Sequence, residues 1–388
     1  MAKTTSKQTQ AVRAAVESDL QFGAVIPPVY LTSNFTFAGF DEPRRYDYTR
    51  TGNPTRDALA DVLAELEGGR GATVTASGMG AISLACQLLN PGDLVVGPRD
   101  CYGGTYRLFN RLAKRGLFRV ILVDQTDLDE VAGAMRDGAK MVWVESPTNP
   151  LLRIVDLERM RVLADQHRAL MVVDNTFLSP ALQRPIEFGA DLVIHSTTKY
   201  LNGHSDVVGG AVIAATDALH QEMQEWANAL GFSGSPFDSF MTLRGVRTLY
   251  ARMTQHEKNA TTLAEIISEH GATHRVFYPG RADHAGHALA ARQQSGYGGM
   301  LSFELRGGVA AARAFLETVE LFSLAESLGG VESLACHPAT MTHATFDADD
   351  RRLAGIEDGL VRLSAGIEAT EDLVRDVLHG LDAAARAA

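Results

Sequence analysis

Cysteine is scarce in this chain: Cys86, Cys101 and Cys336 are the only three among 388 residues. None forms a CxxC pair or sits at zinc-ligand spacing. A disulfide framework and a structural zinc site are therefore excluded, and free thiols in a reducing compartment are expected. Positive charge is also short. Lys and Arg number 36 against 47 Asp and Glu, a net charge of −11, which argues against nucleic acid or an anionic membrane as the main partner. No apolar run approaches the ~20 residues of a membrane-spanning helix. The first residues, Met1 to Lys7, are polar and lack the apolar core of a signal peptide, so a cytoplasmic protein is expected. A Walker loop is missing too, as is a full GxGxxG with an acidic ribose partner, which leaves nucleotide and nicotinamide binding unsupported.

What is present is a globular composition, with 45% hydrophobic and 21% charged residues. Short apolar runs at 72–75, 94–97, 119–123, 141–145, 170–174, 192–195 and 209–214 alternate with helical patterns such as 79–89 and 157–167. This pattern predicts an α/β fold with a mostly parallel seven-stranded sheet, buried on both faces, in a large domain. Ligands collect at the carboxyl ends of such strands. Residues 1–55 have little periodicity and are expected not to fold alone but to drape over something else, such as another subunit. A helix follows over 55–66, with Thr55 as its N-cap. Residues 56–250 read as the large domain and 251–388 as a smaller C-terminal α/β domain. In the latter, strands are expected at 275–278, 300–304, 321–324 and 359–364, with helices at 249–270 and 371–384.

The unusual polar clusters fall just after strands. Ser196-Thr-Thr-Lys199-Tyr200 crowds a lysine with hydroxyls at a buried strand end. Hydroxyls can hold a phosphate while the amine carries an aldehyde, which points to pyridoxal 5′-phosphate (PLP). Ser77-Gly78-Met79-Gly80 places glycines where a strand turns into a helix, a seat for an anion. Asp174 ends another apolar strand, 25 residues before Lys199. Beside a pyridine nitrogen its carboxylate keeps that nitrogen protonated. Asn149 follows a further strand and is a candidate donor to the cofactor's phenolic oxygen. Tyr102 is a candidate to stack on the ring, and Arg107 to meet a substrate carboxylate. Each residue also has an ordinary reading, as turn, cap or core; the argument rests on their falling together. Cys101, in the turn-like Asp100-Cys-Tyr-Gly-Gly, reads as a buried thiol, because nothing beside it would activate it.

The run Asp191-Leu-Val-Ile-His-Ser-Thr-Thr-Lys199-Tyr-Leu-Asn-Gly-His-Ser-Asp206 resembles the lysine signature of the Cys/Met-metabolism PLP enzymes, a branch of the aspartate-aminotransferase fold type. The likeness extends from Gly23 to Glu368. It implies that Lys199 anchors the cofactor and moves the substrate's α-proton, with Tyr102 the second catalytic candidate. It further implies that Asp174 pairs with the ring nitrogen and that Gly78, Met79, Ser196 and Thr198 hold the phosphate. Tyr48 and Arg50 would reach that phosphate from a neighbouring subunit, which implies a homotetramer with shared sites. Ser327 and Arg362 match positions at the substrate's α-carboxylate.

Within the family, the runs Phe37–Arg44, Asp100–Phe109, Leu178–Gln183 and Phe237–Phe240 are most similar to bacterial cystathionine γ-synthases, which join cysteine to an acylated homoserine, usually O-succinylhomoserine. Glu326 matches a glutamate that faces the distal amino group of cystathionine. Thr51 stands where some synthases carry a second arginine, as in the γ-lyase pattern, and leaves Arg107 as the candidate for the distal carboxylate. Cystathionine γ-lyase and O-acylhomoserine sulfhydrylase activities stay open, as does a catalytically silent scaffold on the same fold.

Overall fold

The computed structural model describes residues 5–344, 346 and 348–388; the first four residues of the N-terminal arm lie outside them. The larger sheet is built from β1 (Gly71–Thr75), β2 (Leu94–Pro98), β3 (Arg119–Val123), β4 (Ala139–Glu145), β5 (Leu170–Asp174), β6 (Leu192–His195) and β7 (Gly210–Ala214). Their order is β1-β7-β6-β5-β4-β2-β3, and all pairings are parallel except the two made by β7. The expected mostly parallel seven-stranded sheet is present.

Its strands are apolar on both faces because both faces are covered. Successive side chains of a strand point to opposite sides. Val142 and Val144 accordingly join one core with Leu63 and Leu66 of the helix Pro54–Glu67, while Met141 and Trp143 join another with Ile82 and Phe109. Each such fully buried side chain contributes about 1.5–3 kcal/mol.

A second sheet follows in the chain: β8 (Thr273–Phe277), β9 (Met300–Leu305), β10 (Ser323–Leu324), β11 (Leu334–Cys336) and β12 (Leu360–Ser364), in the order β10-β11-β12-β9-β8. It is antiparallel apart from β10·β11. Three-residue β11 carries too short a pattern to be legible in the sequence, and the helices Asp217–Leu230 and Pro236–Val246 lie in regions that mix apolar and polar residues.

Two local expectations are corrected. The helix starts at Pro54, and Asn53, not Thr55, is its cap, with a side chain that accepts from the Thr55 amide. Proline at the first helical position needs no amide partner, which moves the start one residue earlier. The Thr55 hydroxyl instead accepts from the Tyr30 amide at 3.0 Å and donates to the Pro28 carbonyl at 3.2 Å, so it pins the arm to the helix. The helix predicted over 79–89 ends at Ala85 and continues as a 3-10 turn, Cys86–Leu88. Within the arm, Leu20, Phe22, Leu31 and Phe40 are 70–102% exposed. Among the described residues, no helix is long and apolar enough to cross a membrane.

Candidate active site

The carboxyl ends of β6, β5, β4 and β2 lie side by side at the middle of the large sheet, and one cavity of about 380 Å³ opens over them. Gly78, Met79, Tyr102, Asn149, Asp174, Ser196, Thr198 and Lys199 from the large sheet line it, as do Glu326, Ser327 and Arg362 from the second. Eleven residues singled out from sequence therefore share one cavity. Arg107, Tyr48 and Arg50 are not in its lining.

Gly78 begins the helix Gly78–Ala85, capped by the Ser77 hydroxyl, which accepts from the Gly80 amide at 3.0 Å. First-turn amides have no partner inside a helix and face outward with the positive end of the dipole. A Cβ on Gly78 would stand 2.8 Å from Cβ of Ser196, so only glycine lets this helix end meet the Ser196–Lys199 turn. Ser196 is held from behind by its amide, which donates to Thr176 Oγ1 at 2.9 Å. The Thr198 hydroxyl accepts from the Gly209 amide at 3.0 Å and lies 3.2 Å from the Gly209 carbonyl.

Lys199 Nζ donates to Ser327 Oγ at 2.7 Å. Burial, with help from the nearby Arg362 charge, lowers its pKa from 10.5 to about 8. Asp174 accepts from the Thr176 amide at 3.0 Å, and burial raises its pKa against the opposing pull of Thr176 and His195. Parallel register sets Glu145, the last residue of β4, beside Asp174. Glu145 is 4% exposed and its Oε2 accepts from the Tyr102 amide at 2.9 Å. Burial and the neighbouring Asp174 push its carboxyl well above the usual range. Glu145 also lines the cavity. Its signal in the sequence was an acid ending the apolar run Met-Val-Trp-Val.

Tyr102 precedes the helix Gly103–Lys114. A Cβ on Gly104 would fall 2.4 Å from Tyr102 Cε1, so the ring lies directly over that glycine. Burial raises the phenol's pKa, with Arg107 opposing and Glu326 assisting. Arg107 itself is exposed. Cys101 is fully buried, and its thiol is pushed up by that burial and by Glu145.

Arg362 sits in β12, the central strand of its sheet, and is 3% exposed. It donates to Asn149 Oδ1 at 2.8 Å and to the Ser327 carbonyl at 3.0 Å, while its buried Nε has no partner among the described residues. Asn149 is thus tied through its oxygen to the arginine, a link between the two sheets that the sequence did not reveal. Its remaining amide group is the part available to a ligand. Tyr48 and Arg50 are exposed; Arg50 donates to the Asn228 carbonyl and side-chain oxygen at 2.6 and 2.7 Å and lies over the Tyr48 ring.

The donor set fits PLP. A buried amine, an anion seat at a glycine-opened helix start, a desolvated carboxylate and an aromatic ring surround one space. The Arg362 guanidinium, also in the lining, adds positive charge for a second anion. Among the described residues no cluster of His, Cys, Asp or Glu could hold a metal.

Comparison with known proteins agrees. The family model described as Cys/Met metabolism PLP-dependent enzyme matches residues 8–382. Cystathionine γ-synthase of Escherichia coli K12 is 52% identical over 98% of this chain and 99% of its own. Cystathionine β-lyase of Lactococcus lactis subsp. cremoris is 43% identical over 97% and 99%. The crystal structure of cystathionine γ-synthase from Xanthomonas oryzae pv. oryzae, in complex with aminoacrylate and cysteine, superposes with a TM-score of 0.98 at 57% identity, covering 99% of this chain and 100% of that one.

Proposed function

The chain belongs to the Cys/Met metabolism PLP-dependent enzymes, and within that family we propose that it is a cystathionine γ-synthase, joining cysteine to O-succinylhomoserine with release of succinate. One observation carries the reading. The cavity is lined by a buried guanidinium, Arg362, and by the Glu326 carboxylate, and Arg107, outside the lining, acts on the Tyr102 that forms its wall. A substrate with one α-carboxylate and a second charged end suits that arrangement. The 52% and 57% identities to γ-synthases support it.

PLP, when bound, supplies an aldehyde that takes up the substrate's amine and a ring that draws electrons from its α-carbon. The chain's own residues do the remainder. The Gly78 and Met79 amides and the Ser196 and Thr198 hydroxyls would hold the phosphate. Asp174 would accept a hydrogen bond from the protonated ring nitrogen, Tyr102 would pack against the ring, and the Asn149 amide would donate to the ring oxygen. Arg362 and Ser327, both in the cavity lining, would hold the α-carboxylate. Lys199, with its pKa lowered to about 8, has an appreciable neutral fraction near pH 7–8 and can take the proton from the substrate's Cα and return it at a neighbouring carbon. Glu326 attracts the distal ammonium of the product, and Arg107 the distal carboxylate of the acyl group. Tyr48 and Arg50 of a second copy complete the phosphate seat, in a homotetramer whose contacts cover the apolar arm.

The same machinery cleaves cystathionine when run in reverse, and the match to β-lyases adds cleavage on the other side of the sulfur. A single preparation given O-succinylhomoserine plus cysteine, cystathionine alone, and O-acetylhomoserine plus sulfide separates the readings. Cystathionine formation should have the highest kcat/KM. Faster release of 2-oxobutanoate, of pyruvate, or of homocysteine from sulfide would assign γ-lyase, β-lyase or sulfhydrylase activity instead.

A further inference from the structure

Behind the Asp174 strand end lies a buried acid–base pair that touches neither the cavity nor the surface. Glu67 closes the helix Pro54–Glu67 and His195 closes β6. They are 0% and 1% exposed. His195 Nε2 donates to Glu67 Oε1 at 2.6 Å, and the same oxygen accepts from Asn175 Nδ2 at 2.9 Å. Asn175 directly follows Asp174, and His195 directly precedes Ser196. The Asn175 amide also donates to the Ile194 carbonyl at 3.0 Å. Glu67 therefore grips both strand ends that carry the proposed ring partner and anchor.

Such a pair is expensive. Desolvating two ionisable groups costs several kcal/mol each, and an apolar pair of similar volume would fill the space at least as stably. Glu67 Oε2 and His195 Nδ1 even remain without partners among the described residues. What the arrangement supplies is electrostatic. His195 lowers the pKa of Asp174, working with the Thr176 hydroxyl and amide against burial. The other charged neighbours oppose or lie further off. Glu145 on β4 lies beside Asp174 with its own carboxyl pushed well above the usual range, Lys199 lines the cavity in front, and Tyr250 on the helix Leu249–Glu269 feels the Glu67 charge.

We propose that Glu67 is a positioning residue for the cofactor: it fixes the His195 Nε2 proton and holds that ring behind Asp174, where it favours the carboxylate form that meets the pyridine nitrogen. The proposal rests on the reading that Asp174 meets that nitrogen.

The test uses the full-length protein stripped of cofactor. Dissociation constants are measured for PLP and for its 1-deaza analogue, which lacks the ring nitrogen, by fluorescence titration in wild type, Glu67→Gln and Asp174→Asn. Glu67→Gln preserves the shape and an acceptor oxygen but removes the charge. It should weaken PLP about tenfold, the equivalent of one pKa unit on Asp174, and leave the deaza analogue within about twofold. Glu67→Asp should recover part of the PLP affinity. Equal weakening of both ligands, or of neither, would show a purely structural pair and overturn the proposal. If Asp174→Asn fails to discriminate between the ligands, the reading of Asp174 itself falls, and this proposal with it. Should Glu67→Gln not fold, His195→Gln carries the same expectation in the same titration.

Discussion

Ser327, the residue that receives the Lys199 amine at 2.7 Å, has a left-handed backbone at φ +93°. Its carbonyl accepts from Arg362 as well. One strained residue thus joins the anchor lysine to the carboxylate clamp, and strain of this kind costs about 1–3 kcal/mol when a side chain is present. Ser327→Ala and Ser327→Gly both lose the hydroxyl, but only glycine relieves the backbone. Urea unfolding should find the glycine variant more stable than the alanine variant by about 1 kcal/mol. The reverse order would place no strain at this position.

The lowered Lys199 pKa has a sign that can be checked in the cofactor-free protein. Burial takes the amine from 10.5 to about 8, so between those values the unfolded chain binds a proton that the folded chain has released. Stability then rises with pH across that window, and the penalty is complete below it. Lys199→Met should remove this slope and stabilise the cofactor-free protein at pH 7 by roughly 1–3 kcal/mol. Denaturant melts at pH 7, 8, 9 and 10 would measure both. An unchanged slope would contradict the lowered pKa.

Arg362→Lys keeps the charge but loses the planar fork that spans Asn149 and the Ser327 carbonyl. Loss of a bidentate carboxylate contact should lower kcat/KM by roughly 100-fold. Bound cofactor, read from its absorbance, should persist. Loss of that absorbance would move Arg362 from the substrate to the cofactor.

Gly104→Ala is a backbone test of the ring position. Its Cβ would come 2.4 Å from Tyr102 Cε1 and 2.6 Å from Met79 Sδ, so the aromatic ring must shift. Cofactor affinity should fall by roughly tenfold, on the scale of a lost aromatic contact of about 1.5 kcal/mol. Thermal unfolding of the cofactor-free variant would separate this from a general loss of stability.

His256 is buried in the helix Leu249–Glu269, and its Nδ1 donates to the Ala365 carbonyl at 2.7 Å. Burial lowers its pKa from 6.5 to about 4. The unfolded chain takes up the proton first as pH falls, so this histidine withdraws stability between pH 6.5 and 4. His256→Asn should flatten that part of the stability curve relative to wild type. Parallel curves would remove His256 from the acid response.

The large sheet was legible because its strands are continuous apolar runs, a pattern that follows from helices on both faces. Lys199, Asp174 and the Ser77–Gly80 turn were legible because each interrupts such a run with polar chemistry at a strand end. Glu145 stood in plain view at the end of its strand yet gave no hint of its bond to the Tyr102 amide. Glu67 and His195 were invisible as a pair, being 128 residues apart. Asn53 and Thr55 are both good capping residues, and the intervening Pro54 alone decides between them.

The sequence by itself determined the α/β class, the mostly parallel order of layers and the residue types at each strand end, because periodicity and side-chain chemistry are local properties. The tertiary structure alone decided what those residues touch. Only when β12 becomes the centre of the second sheet does Arg362 reach Asn149, and only when the helix Pro54–Glu67 packs over β1 and β7 does Glu67 reach His195. Contacts between segments a hundred or more residues apart are fixed by how layers pack, and no spacing along the chain records them.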